Sequence, residues 1–347
     1  VVRKLVEDLI HDLQLGFSKS YWPELQQPIG VGAAFEGWSP YEDEPVYCLL
    51  VPLKPPRGYV FNLGLDSTGE IPAQQSCVLV QPQCIYSNEE AGCQCFVHHL
   101  IKKLRRRPPG LKHIASLCTG HYLDVQKTAS WFRGLLSLGW AAMPQSRQYG
   151  LKLLPSARSC MLQLTSGKGK TRGETFLVEI IFGLQKDNSD IFLSSEATEA
   201  VISPSTTWRV SSAVADSKIF RGIAAMAPRG SYHLKCLHAC TSILAGTSFS
   251  THIMKTIVMH LLTTIPLSHW RDRDFVPRLQ DIMEYLRSSL KEKRLNHFFT
   301  GNENVPEEIN LPVSFRRAEP CNLFHQLAHD PAAHAQALQD FEELQDR

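Results

Sequence analysis

Four groupings of side chains in this sequence could do chemistry. The first is Glu42-Asp43-Glu44, which precedes Pro45 and the apolar run VYCLLVPL at 46–53. Carboxylates at positions i and i+2 of a strand point to the same side. Glu179 sits alone in a second apolar run, TFLVEIIFGL at 175–184, where a charge needs a partner or water. Three carboxylates on two neighbouring strands are what a two-metal site for in-line displacement uses, so Glu42, Glu44 and Glu179 are the catalytic candidates. The simpler reading makes 42–44 a solvated turn and puts Glu179 at a sheet edge, and on residue types it carries more weight.

The second grouping mixes thiols and imidazoles: Cys93 and Cys95 before His98-His99, and His233, Cys236, His238 and Cys240 on one helix. Neither matches the paired spacings of a structural zinc site. Cysteine is commonly buried, and ordinary packing explains both sets. The third is the basic run Lys102, Lys103, Arg105, Arg106, Arg107, which could meet phosphates or an acidic lipid surface. A solvated helix end closed by Pro108-Pro109 accounts for it equally well. The fourth is Gly32-Ala33. A Gly-Ser pair at a helix start can hold a phosphate through backbone N–H groups and a hydroxyl, but Ala33 has no hydroxyl.

Several elements must position these groups. Val2, Leu5, Val6, Leu9, Ile10 and Leu13 recur at helical spacing, so the chain opens with an amphipathic helix. The runs 46–53 and 175–184 read as buried strands. Helices are predicted over 95–107 and 121–138, with Trp131 and Phe132 on an apolar side. Helical periodicity then dominates 232–245, 251–264, 275–292 and 332–345. Residues 203–217 read as linker-like. The expected fold class is α+β, a mixed and mainly antiparallel sheet with helices. The expected domains are a core over 1–225 and a helical lobe over 226–347.

Composition narrows the class. Hydrophobic residues make up 43% and charged residues 20%, with a net charge of +2 and both signs well mixed. That balance supports a globular core and argues against a nucleic-acid partner. Ten cysteines in a chain this long suggest mostly reduced thiols. No Asn opens an Asn-X-Ser/Thr acceptor, a weak lean toward a cytoplasmic face. No stretch reaches the roughly 20 apolar residues of a membrane helix, since the best one, 253–265, contains Lys255 and His260. The first residues are too charged for a signal peptide. Without an initiator Met, the chain reads as an excised fragment, and any anchor or targeting signal would lie upstream.

The order of the motifs resembles the male-abnormal-21 family: an apolar helix, then GAAFEGW, an acidic strand entry and VYCLLVPL, and later LVEIIFGLQ. The C-terminal half agrees further, with LKCL at 234–237, HIMKT at 252–256, Trp270, KRLNHFF at 293–299 and NLF at 322–324. That family has a nucleotidyltransferase fold and includes cyclic GMP-AMP synthase. Residues 51–56, 297–302 and 317–320 look most like its inositol trisphosphate receptor-interacting group, which are single-pass membrane proteins. The resemblance implies a nucleotidyltransferase-like core and a helical C-terminal lobe, with a cleft between them near Glu44, Glu179 and His252, and an upstream membrane anchor. It places Gly32 and Ala33 at the phosphate-binding turn, His252 where a base would stack, and Lys255 nearby. Counting back from Val51-Pro52 puts the metal carboxylates at Glu42 and Glu44. Counting from Gly32 puts them at Glu44 and Val46, which loses one ligand. The family's zinc insertion has no counterpart, so no zinc is expected.

With Ala33 lacking the hydroxyl and His252 in the stacking position, the resemblance implies a pseudoenzyme without a cofactor, Mg²⁺ entering only if the degenerate site is active. It would bind a membrane receptor or channel in calcium signalling, at the cell membrane. Two alternatives stay open: a cell-surface ligand for a receptor on another cell, and a metal-dependent nucleotidyltransferase or nucleotide sensor.

Overall fold

The computed structural model describes residues 1–17, 20–39, 45–63, 75–83, 111–167, 174–196 and 204–346. In chain order the strands are β1 (Glu24–Leu25), β2 (Ile29–Val31), β3 (Val46–Lys54), β4 (Tyr59–Leu63), β5 (Gln75–Pro82), β6 (Cys118–Thr119), β7 (Tyr122–Leu123), β8 (Tyr149–Leu154), β9 (Cys160–Ser166), β10 (Thr175–Gln185), β11 (Phe192–Ser194) and β12 (Thr207–Ser211). The helices are α1 (Val2–Phe17), α2 (Ala33–Glu36), α3 (Leu111–Ser116), α4 (Val125–Ala142), α5 (Ala213–Met226), α6 (His233–Ser242), α7 (Thr251–Thr264), α8 (Phe275–Glu292), α9 (Val313–Arg317), α10 (His325–His329) and α11 (Pro331–Gln345). The chain divides into two compact units. One holds Val1–Val31, Val46–Asp187 and Ile191–Val214, the other Gly32–Pro45, Asn188–Asp190 and Ala215–Arg347.

The first unit carries the sheet, with strand order β1-β3-β10-β11-β12-β5-β7-β6. Beside that path β2 pairs with β3, β4 with β5, β9 with β10 and β8 with β9. Strands β3 and β10 run parallel, which places Cys48 opposite Glu179. The flanking pairs β2·β3, β9·β10 and β10·β11 are antiparallel. Leu49, Leu50 and Val51 on β3 and Ile180, Ile181 and Phe182 on β10 are buried without alternation. Continuous burial is what a strand covered on both faces requires. The class is α+β, as expected.

Helix α1 buries the apolar residues that the spacing marked, from Val2 to Leu13. It packs against α4 through Gly139, where a Cβ would lie 2.9 Å from Leu13 Cδ2. Helix α4 in turn sets Phe132 edge-on to Phe182 of β10, with ring centroids 5.1 Å apart. It begins at Val125, not at residue 121. Asp124 caps it by accepting the Lys127 N–H, and Tyr122–Leu123 is spent on β7.

The linker-like reading of 203–217 is overturned. Thr207–Ser211 is a strand between β11 and β5, and α5 starts at Ala213. Trp208 explains why: it is fully buried, and its indole N–H donates to the Leu123 carbonyl at 3.0 Å. Residues of the stretch that suggest a linker make hydrogen bonds to distant parts of the chain. Ser205 Oγ, for one, donates to Asp124 Oδ2 at 2.6 Å.

The second unit is helical, with its core around Trp270, Leu286, Phe298 and Phe299. Asn322 ties its loops together. Its Oδ1 accepts from the N–H groups of Leu295 and Phe324, and its Nδ2 donates to the Lys293 carbonyl.

Candidate functional site

A buried polar constellation in the second unit is built around Lys255. Helix α2 is a single turn made possible by the glycines on either side. Gly32 caps it at φ +78° and ψ −179°, a backbone shape essentially reserved for glycine, and its carbonyl accepts the N–H groups of Phe35 and Glu36. Gly37 closes the turn in the left-handed region at φ +85°. The reversal returns Trp38 to Glu36, so that the indole N–H donates to Glu36 Oε2 at 2.6 Å.

Helix α5 supplies Asp216, Ser217 and Phe220, and α7 supplies Lys255. The Lys255 ammonium donates to Glu36 Oε1 at 2.8 Å and pairs with Asp216 Oδ2 at 3.0 Å. Ser217 Oγ also donates to Glu36 Oε1, at 2.8 Å. Trp38 and Phe220 put their rings within 6 Å of the ammonium, a distance at which a cation gains from the ring face. Glu36, Asp216, Ser217 and Lys255 are all buried.

Burial pushes the Asp216 carboxyl above its usual range; Lys255 opposes that rise and Glu36 adds to it. Burial also disfavours the Lys255 ammonium, but Asp216 and Glu36 more than offset this and hold its pKa above the ordinary value. The group is thus a charged, fully partnered core. Its ammonium is paired with two carboxylates, Glu36 and Asp216.

His252, one turn before Lys255, lies with its ring 5.8 Å from that of His297. His297 is pushed down to about 4, by burial first and then by His252, and it is a neutral imidazole near neutral pH. Its Nδ1 accepts the Phe299 N–H at 3.2 Å. Gly32 and Ala33 form the start of α2, where Ala33 presents a methyl group. The second unit thus holds Gly32, Ala33, His252 and Lys255 from the sequence reading. It adds Glu36, Trp38, Asp216 and Ser217, which that reading missed. One signal for them was available: Lys255 lies in an otherwise apolar helix, and a buried ammonium demands carboxylates elsewhere.

In the first unit, Glu179 accepts a hydrogen bond from Ser159 Oγ at 2.7 Å, and Ser159 Oγ lies 2.7 Å from Ser156 Oγ. Cys48, opposite in the register, is raised well above the usual thiol range by burial, then by Glu179 and Glu196. Glu42 and Glu44 lie outside the described residues, as do Cys93, Cys95, His98, His99 and the basic run 102–107. Among the described residues no three His, Cys, Asp or Glu side chains converge to hold a metal ion. Of the three carboxylates named for a two-metal arrangement, Glu179 alone is among the described residues.

The Cys and His residues of α6 are accounted for singly. Burial pushes Cys236 and Cys240 up to about 12 and His233 down to about 4, and His238 Nδ1 bonds the Ser39 carbonyl at 2.8 Å.

Residues 232–329 match the Mab-21 protein HhH/H2TH-like domain. The rat inositol 1,4,5-trisphosphate receptor-interacting protein-like 1 is 34% identical across 99% of this chain. The chain thus carries a Mab-21 domain over these residues and is similar along its length to that relative.

The human inositol 1,4,5-trisphosphate receptor-interacting protein is 28% identical across 98% of the chain, and the Takifugu rubripes protein of that name is 28% identical across 99%. The chain spans 64% of the rat relative's length and 65% of the human one's, so it is compared with part of each. The sheet-bearing unit and the helical unit follow the Mab-21 plan, a nucleotidyltransferase-like sheet with a helical C-terminal part. Among the described residues no helix is long and apolar enough to cross a membrane.

Proposed function

We propose that this Mab-21 chain is a catalytically degenerate nucleotidyltransferase-like domain that regulates a membrane receptor or calcium channel by binding it. The observation that carries this reading is the Lys255 ammonium, bonded to Glu36 and Asp216 inside the protein. A lysine that serves a nucleotide must offer its charge to phosphate; this one neutralises buried carboxylates. Ala33 adds support, because the turn that would cradle a phosphate has a methyl group where a hydroxyl would help. The names of the relatives supply the partner class, an inositol 1,4,5-trisphosphate receptor. In this reading the domain works beside a membrane as part of a single-pass protein, and it needs no cofactor.

The test is direct binding. The purified chain is immobilised and detergent-solubilised inositol 1,4,5-trisphosphate receptor is titrated over it by biolayer interferometry. Saturable binding that survives nucleotide-free, EDTA-containing buffer is expected. Absence of binding at micromolar receptor removes the channel as partner.

A further inference from the structure

A second grouping of imidazoles belongs neither to the buried site nor to the core. Helix α10 reads His325-Gln-Leu-Ala-His329, and both histidines are exposed. Positions i and i+4 share a helix face. The two rings lie with centroids 4.2 Å apart and planes 33° from parallel. His329 Nδ1 lies 2.8 Å from the His325 carbonyl oxygen. Since a carbonyl only accepts, Nδ1 carries the proton and donates, which leaves the His329 Nε2 lone pair free. A ring N–H held by a backbone carbonyl is the arrangement that orients a metal-ligating histidine.

We infer that His325 and His329 form a two-imidazole chelate for a borderline divalent transition-metal ion, Zn²⁺, Ni²⁺ or Cu²⁺. Two nitrogens bound to one tetrahedral ion at about 2.0–2.1 Å must lie about 3.3 Å apart. Rings with centroids 4.2 Å apart put the two imidazoles close enough to share one ion. Imidazole suits these ions and not Mg²⁺ or Ca²⁺, which take oxygen ligands. Neighbouring groups are engaged elsewhere. Asp330 Oδ1 accepts the N–H groups of Ala332 and Ala333 to cap α11, and His334 Nε2 bonds the Leu290 carbonyl. The ion is therefore held at two points, and water fills its remaining positions.

The experiment is isothermal titration of the EDTA-stripped, dialysed chain with NiCl₂ and with ZnCl₂, with Cu²⁺ electron paramagnetic resonance as the spectroscopic readout. One saturable Ni²⁺ site per chain is expected, with a Cu²⁺ spectrum coupled to two nitrogens. His325→Ala and His329→Ala should each weaken Ni²⁺ binding about tenfold or more, equivalent to roughly 1.4 kcal/mol. His334→Ala should leave it unchanged. Both key residues are exposed, so the variants should keep the parent's far-ultraviolet circular dichroism. Failure to see saturable Ni²⁺ binding overturns the site. So does binding that persists unchanged in the His325→Ala/His329→Ala double variant, because it would place the ion on other groups.

Discussion

Lys255 on α7 and Glu36 at the end of α2 are bonded at 2.8 Å inside the second unit, across 219 residues of sequence. A contact so remote in the chain, between two charges withdrawn from water, fixes where the short Gly32–Gly37 turn rests. It also decides what Lys255 can do. Removing one partner from a buried pair leaves an uncompensated charge and typically costs about 3–5 kcal/mol, whereas replacing the whole group by apolar residues is often neutral.

Lys255→Met should therefore destabilise the chain by about 3–5 kcal/mol in urea unfolding, because it strands two buried carboxylates. The triple variant Glu36→Met/Asp216→Leu/Lys255→Met should recover most of that loss. A single variant within about 0.5 kcal/mol of the parent would show that the ammonium carries no such burden.

Gly32→Ala should cost about 1–3 kcal/mol although nothing lies within 4 Å of its added Cβ, because φ +78° with ψ −179° is strained for any side chain. Quenching of Trp38 fluorescence would report whether the turn also shifts. An unchanged midpoint would mean that the turn relaxes freely.

Two glycines of α4 should respond in opposite senses. Gly134 has open space around it, so Gly134→Ala should stabilise by about 0.5–1 kcal/mol through helix propensity. Gly139→Val should destabilise by about 1–3 kcal/mol, since its first carbon meets Leu13 Cδ2 at 2.9 Å. Thermal melts of the two variants, moving apart in Tm, check this pair.

Acid sensitivity follows from buried neutral imidazoles. His233 is held near 4 by burial, against 6.5 for an ordinary histidine. Between those values the unfolded chain binds the proton and the folded chain does not, so stability rises with pH. It is lost as pH falls from about 6.5 toward 4, at up to about 1.4 kcal/mol per pH unit for one histidine. Asp216, raised by burial, works in the opposite sense over its own window above 3.8, because there the folded chain holds the extra proton. His233→Leu should flatten the pH dependence by up to that slope in urea unfolding from pH 4.5 to 6.5. An unaltered slope would contradict the assignment.

Periodicity made the long elements legible. The α1 stripe, the buried β3 and β10 runs and helices α7 and α8 all follow from spacing, because each buries a face that its own residues define. The start of α4 and the strand at Thr207–Ser211 were obscure. Asp124 and Trp208 act there through partners 81 and 85 residues away, beyond what a local pattern carries. The buried site was half legible. Lys255 stands out as a lone charge on an apolar helix, but no local pattern marks Glu36, at the end of α2, or Asp216, in the first turn of α5, as its partners. Only the packing of α2, α5 and α7 joins them.

The most direct test of the degenerate-domain reading is isothermal titration of the purified chain with ATP and GTP, with Mg²⁺ or Mn²⁺ present. No heat of binding at millimolar nucleotide is expected, in the parent and in Glu179→Gln alike. Saturable, metal-dependent binding that Glu179→Gln abolishes would contradict the reading and restore nucleotide chemistry to this fold.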